Sequence, residues 1–247
     1  MNFQLISDLH LEHYRDVKDI WKNLTPSSEN LLIAGDICAY NLYEALTEIA
    51  SRYKQVVCVL GNHDYYNRHV GFNTCWVPSV PENVTVLEQS CVELDGVLIA
   101  GGTLWTDFKN EDWFVKHNSS KNVEDFTAIP QFTPAKAIHR FRRTVDYLKH
   151  VVQQNRGKKL VIMTHFVPSY SLIGERWKHA SYEMLSRYFS GSCDELISIC
   201  DPGTIWVYGH THDASSQVLN DVQFYVNPLG YRKSLKWTSY QNLVIEL

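Results

Sequence analysis

Short apolar runs recur along the chain, and many are closed by a glycine or a polar residue. Phe3–Ser7, Leu31–Gly35, Val56–Leu60, Val84–Leu87, Val92–Leu94, Val97–Ala100, Leu160–Thr164, Thr204–Tyr208, Gln223–Val226 and Asn242–Glu246 read as strands, most being too short for helices. Several are apolar throughout, as strands covered on both faces are. Helical spacing lies between them. Asn41–Tyr53 is one such stretch. A stronger one begins at Thr133-Pro134, an N-cap followed by proline at the first helical position. It carries Ile138, Phe141, Val145, Leu148 and Val152 on one face and stops before Gly157. Ser181–Ser190 is a third. Early strand–helix alternation followed by later hairpins predicts an α/β sandwich with a mixed sheet. Residues 103–134 fit neither period. Their mixture of Trp105, Phe108, Trp113, Phe114, Phe126 and Phe132 with polar groups predicts a long loop or cap, a length more often functional than idle.

The length of 247 residues suits one domain spanning 1–247, since about 250 residues still share a core. Formal net charge is -4, which argues against nucleic acid or an anionic membrane as the main partner. No apolar run approaches the roughly 20 residues that cross a bilayer. The opening residues have neither a basic region nor a long apolar stretch, so no signal peptide is expected. The cysteines at 38, 58, 75, 91, 193 and 200 form no C-x-x-C pair and read as reduced thiols of a cytoplasmic protein.

Chemistry enters where the strands end. Asp8 and His10 follow the first run and Asp36 the second. Asn62 and His63 follow the third. His165 follows Leu160–Thr164, and His210 and His212 follow Thr204–Tyr208. Ligands of open α/β sheets bind beyond the carboxyl ends of strands, so parallel strands would deliver all these groups to one rim. So many donors exceed what one tetrahedral ion accepts. Two ions fit better, and Asp36, alone on its loop, is the natural bridging carboxylate. The mixed N/O donor set suits Mn, Fe, Zn, Co or Ni better than Mg or Ca. Gly35, Gly61 and Gly209 precede candidate ligands, where the backbone must come close to the centre. Taken singly, Asp-Leu-His, Gly-Asp and Thr-His are commonplace. Gly-Asn-His-Asp and Gly-His-Thr-His are more specific, and five pieces in this order are not coincidence.

That order, D-x-H, G-D, G-N-H-D, x-T-H, G-H-x-H, resembles the calcineurin-like metallophosphoesterase superfamily. The resemblance spans Asp8 to His212. It implies a four-layer α/β/β/α sandwich with a dinuclear centre. It implies that Asp8, His10, Asp36 and His212 hold one ion, and Asp36, Asn62, His165 and His210 the other. His63 is then the non-ligand histidine that contacts the phosphate and serves as acid. Two departures matter. The protein Ser/Thr phosphatases extend the second motif to G-D-x-x-D-R, whereas Gly35-Asp36-Ile37-Cys38-Ala39-Tyr40 has neither the second Asp nor the Arg. The support of His63 must come from elsewhere, with Asp64 a candidate. The lipid-A-pathway diphosphate hydrolases carry Arg where this chain has His63, so Asp8-Leu9-His10-Leu11 does not place it among them.

The expected function is hydrolysis of phosphate mono- or diesters by a hydroxide held between two divalent ions, manganese favoured, on a small phosphorylated substrate. The alternatives are a nuclease of the same superfamily, disfavoured by the acidic balance, and a non-catalytic scaffold, disfavoured by retention of His63 and every candidate ligand. Gly102–Trp105 either walls the pocket or buries its aromatic. His139, Arg140, Arg142 and Arg143 read as a solvated helix face before a phosphate grip. Asp213 is a candidate hydrogen-bond partner for the ligand histidines. Asn227–Tyr231 is expected to border the site. His13, His69, His117, His150 and His179 read as surface or structural residues.

Overall fold

Two mixed sheets stack face to face between helices. The computed structural model describes residues 1–67, 79–231 and 240–247, so Cys75 and His69 lie outside the described residues. The first sheet contains β1 (Asn2–Ile6), β2 (Asn30–Ala34), β3 (Gln55–Val59), β4 (Val84–Leu87) and β11 (Leu243–Glu246), in the order β11-β1-β2-β3-β4. The second contains β5 (Ser90–Leu94), β6 (Val97–Gly102), β7 (Lys159–Thr164), β8 (Ile205–Val207), β9 (Ser215–Leu219) and β10 (Val222–Val226), in the order β5-β6-β7-β8-β10-β9. β1 to β4 run parallel, as do β6, β7, β8 and β10; β11, β5 and β9 are antiparallel edges.

The period of two sorts the side chains. Phe3, Leu5, Leu32, Val57 and Val59 face inward against Ile99, Val161, Met163 and Val207 of the other sheet. Ile6, Leu31, Ile33, Val56 and Cys58, the alternate positions, face the outer layer. Burial on both faces is why these runs are apolar throughout. Each fully buried Val, Leu or Ile contributes about 1.5–3 kcal/mol.

Helix α1 (Leu42–Ala50) packs its Leu42, Ala45, Leu46 and Ile49 into the outer layer of the first sheet. Residues 103–134 are not one long loop. They carry α2 (Phe108–Glu111), a single turn with positive φ at every residue, α3 (Trp113–Asn122) and α4 (Asp125–Ala128). Helix α5 (Pro134–Gln154) covers the second sheet, with Thr133 Oγ1 accepting from the Lys136 amide as foreseen. Helix α6 (Glu183–Phe189) realises the third predicted helix, and α7 (Asp194–Ser198) lies beside α5. Helices α2, α3 and α6 pack together as a cap. The result is the four-layer α/β/β/α sandwich.

Register explains where the site sits. Ile6 pairs with Ile33, Ala34 with Val59, and Met163 with Val207. The carboxyl ends of β1, β2 and β3 in one sheet, and of β7 and β8 in the other, therefore open on a common rim.

Candidate functional site

All eight residues expected at the site converge on this rim. Backbone bonds knit the loops that bear them: the Asp8 amide donates to the Gly35 carbonyl, His10 to Asp36, and Gly209 to His165. Asp8, His10, Asp36, His210 and His212 all have positive φ, between 46° and 73°. Such backbone is costly for residues with a side chain and persists where the surroundings over-determine it, as they do at functional sites. Two glycines provide the space. A Cβ on Gly61 would lie 2.1 Å from Asp36 Oδ1, and one on Gly35 2.4 Å from His165 Nδ1.

Asp8, His10 and His212 make one donor cluster, and Asp36, His165 and His210 a second; His10 also groups with Glu12 and His63. In the first, His212 Nε2 lies 3.3 Å from Asp8 Oδ1 and 3.1 Å from His10 Nε2. In the second, His165 Nε2 lies 3.1 Å from both His210 Nδ1 and Asn62 Oδ1. Asp36 Oδ2 stands between them, 3.3 Å from His165 Nε2 and 3.7 Å from His10 Nε2. Its other oxygen accepts from the His63 amide at 2.9 Å.

Outer contacts aim these groups. His165 Nδ1 donates to the Ala34 carbonyl at 2.9 Å, which turns Nε2 toward the cluster. His10 Nδ1 is 3.0 Å from Glu12 Oε1, with the same consequence. Asp8 accepts from the Ser7 hydroxyl at 2.5 Å and the His210 amide at 2.9 Å. His210 Nε2 is buried with no hydrogen-bond partner.

Electrostatics without a cation already favour ligand forms for most of these groups. Burial pushes the Asp8 carboxyl up, but His212 and His165 hold it below its ordinary range. Asp36 is held well below the usual value against its burial, chiefly by His165 and His63. Burial lowers His10, and burial with the neighbouring His165 takes His210 well below its ordinary value. His165 is instead raised to about 9, because Asp36 outweighs its burial. Ring nitrogens facing each other at 3.1 Å beside carboxylates must share protons to satisfy one another, and one or two cations could occupy those lone pairs instead.

His63 is held by a residue the sequence reading did not name. Glu12 Oε1 is 3.1 Å from His63 Nδ1, and Tyr66 stacks on its ring at 4.3 Å. Asp64 does other work: it accepts from the amides of Ile37, Cys38 and Gly61 and ties the second and third loops together. Glu12, two residues past His10 in the opening motif, was the available signal. Against its burial, Asp36 and Glu12 raise His63 to about 9.

Other expectations sort themselves. Trp105 is fully buried against Tyr65, Phe132 and Phe166, so Gly102–Trp105 supplies a core aromatic rather than a pocket wall. Arg140 is buried beside Glu88, 3.5 Å from Oε1, and Arg142 pairs with Glu111, so the basic cluster is not a wholly solvated helix face. Asp213 accepts from the Arg176 guanidinium and the Trp177 indole. Tyr231 stacks on His10 at 4.3 Å, so the Asn227–Tyr231 turn does border the site. A cleft of about 590 Å³ opens beside His63 and Asp36, walled by Tyr66, Val123, Trp177, Leu185 and Phe189.

The profile of the calcineurin-like phosphoesterase family matches residues 1–214. The chain belongs to that family. The uncharacterised protein L509 of Acanthamoeba polyphaga mimivirus is 25% identical over 257 residues, covering 92% of this chain and 90% of its own. The solved phosphopantetheinyl hydrolase (PptH) of Mycobacterium tuberculosis superposes with a TM-score of 0.69 at 19% identity, covering 98% of this chain and 95% of that one. At that identity the likeness speaks for the shared family fold.

Proposed function

We propose that this chain is a dinuclear-metal-dependent hydrolase of phosphate esters. The observation that carries it is the position of Asp36 Oδ2, within 4 Å of a histidine from each donor cluster. Asp8, His10, Asp36 and His212 would hold one ion, and Asp36, Asn62, His165 and His210 the other. Bound there, divalent transition ions, manganese first among them, supply charge for the phosphate oxygens and acidify a water to serve as nucleophile.

The rest falls to the chain's own residues. Glu12 accepts a hydrogen bond from Nδ1–H of His63 and so presents Nε2 to the substrate. Its carboxylate favours the protonated ring, which can donate to a phosphoryl oxygen or to the leaving group. The cleft walls, in which Tyr66, Val123, Trp177, Leu185 and Phe189 alternate with Asn122, Glu124 and Arg176, would receive the organic part of the ester. No described helix is long and apolar enough to cross a membrane. The described cysteines are free thiols, which supports the reducing cytoplasm as its compartment.

Metal-stripped protein titrated with Mn²⁺ should take up close to two ions per chain. The loaded protein should then hydrolyse members of a panel of phosphomonoesters, phosphodiesters, cyclic nucleotides and nucleoside polyphosphates. A phosphopantetheinyl ester belongs in that panel because of the solved neighbour. Uptake near zero would overturn the metal assignment. Two bound ions with no turnover of any phosphoester would make the chain a scaffold.

A further inference from the structure

We propose that Asp125, the first residue of α4, is a positioning residue of the metal centre. Its carboxylate decides which way the Asn62 amide faces and, through Tyr66, braces His63. The inference rests on the reading of Asn62 as a metal ligand.

An asparagine amide is nearly symmetric in shape, yet only its oxygen can bind a cation. Its orientation is therefore set by whatever its two ends meet. On one side Asn62 meets the centre, with Oδ1 3.1 Å from His165 Nε2. On the other, Nδ2 donates to Asp125 Oδ1 at 2.8 Å. Asp125 Oδ1 is an acceptor there, as it is for the Tyr66 hydroxyl, so it takes the NH₂ end and turns the amide oxygen toward the metal side.

Asp125 is itself fixed. It is 1% exposed, and it accepts from the Tyr66 hydroxyl at 2.7 Å and the Tyr188 hydroxyl at 2.5 Å. Burying a carboxylate is costly unless it is hydrogen-bonded, and here three donors converge on it. The Tyr66 bond has a second effect, because the same ring stacks on His63 with an interplanar angle of 23°. One carboxylate thus touches a proposed ligand directly and the proposed acid through one aromatic ring. It comes from α4, which lies 63 residues along the chain from Asn62.

A purely structural tether between cap and body would use the same bonds. Metal affinity separates the two roles. Calorimetric titration of Mn²⁺ into metal-stripped Asp125→Asn should leave one ion bound as in wild type and weaken the other on the order of 10–100-fold, the usual scale for losing an outer partner of a ligand. Asn62→Asp places a carboxylate against Asp125 and should also bind the second ion more weakly than wild type, although a carboxylate alone is a good ligand. Combining Asn62→Asp with Asp125→Asn reverses the pair and should recover affinity relative to Asn62→Asp. Tyr188→Phe, which loosens Asp125 without touching Asn62, should lower the melting temperature and keep both affinities. If Asp125→Asn fails to fold, Asn62→Asp alone still decides. Tighter Mn²⁺ binding by that variant than by wild type would overturn the inference, as would a double variant no better than Asn62→Asp. Wild-type protein that binds no Mn²⁺ would instead overturn the metal-centre reading itself.

Discussion

Glu12 Oε1 lies 3.1 Å from His63 Nδ1, and the same oxygen lies 3.0 Å from His10 Nδ1. One carboxylate therefore orients both a proposed ligand and the proposed acid. It is 4% exposed, and its second oxygen accepts from the Ala39 amide. Burial pushes it up, yet the two histidines bring it down to about 2, so it is ionised at neutral pH. Glu12→Ala should cost both functions at once. Metal affinity at the ion held by His10 should fall about 10–100-fold, as for other outer partners of ligands. Turnover at saturating metal should also fall. An unchanged rate after metal saturation would confine Glu12 to His10.

His63→Ala separates what Glu12 couples. The ring meets His10 of the first donor cluster edge-on, with centroids 4.5 Å apart, but no ion is assigned to it, so metal content should stay near that of wild type. The rate on a substrate with an alkoxide leaving group should fall on the order of 10²–10⁴-fold, the scale of a positioned proton donor. With p-nitrophenolate, which needs little protonation, the loss should be smaller. Equal losses on both substrates would make His63 a clamp on phosphoryl charge alone.

The strand ends were legible because each motif is local: an apolar run, then Gly, Asp, Asn or His within a few residues. Sheet order was not, since antiparallel β11 and the crossing between sheets leave no local mark. Strand β9 escaped because Ser215–Leu219 is an edge that alternates half-buried and exposed residues. Helix α3 escaped because Trp113 and Phe114 sit side by side and exposed, giving no helical stripe. The site's supports were hidden for a related reason. Asp125 meets Asn62 across 63 residues, and no pattern in a single chain links such a pair. Glu12 was closer to hand, but a glutamate after a histidine has many uses on a surface.

Asp36→Asn and Asp8→Asn should differ in kind. Asp36 Oδ2 lies near histidines of both clusters, whereas Asp8 belongs to one. Removing the Asp36 charge should weaken both ions, and removing that of Asp8 mainly one. Elemental analysis at limiting Mn²⁺ should show the Asp36 variant with the lower content. A variant at 36 that held both ions as tightly as wild type would end the bridging assignment.

Gly61→Ala tests crowding at the centre without any change of charge. Gly61 is not among the residues with positive φ, so alanine meets no backbone penalty there. The difficulty is space: the new Cβ would lie 2.1 Å from Asp36 Oδ1 and 2.4 Å from the Asp36 amide nitrogen. Neither can yield cheaply, because that oxygen also accepts from the His63 amide. The loop must shift, at a cost of about 1–3 kcal/mol for overpacking a dense site. Asp36 should shift with it, so metal affinity should fall together with stability. Gly157→Ala is the matched control. That residue has φ +75° and nothing within 4 Å of an added Cβ, so alanine there meets strain but no neighbour. It should cost about 1–2 kcal/mol for left-handed backbone and leave metal binding untouched. Thermal melts and Mn²⁺ titrations of the two variants should therefore show similar losses of stability and opposite outcomes for the metal. Normal affinity in Gly61→Ala would mean that the Asp36 carboxylate has room to move and is not fixed by its loop.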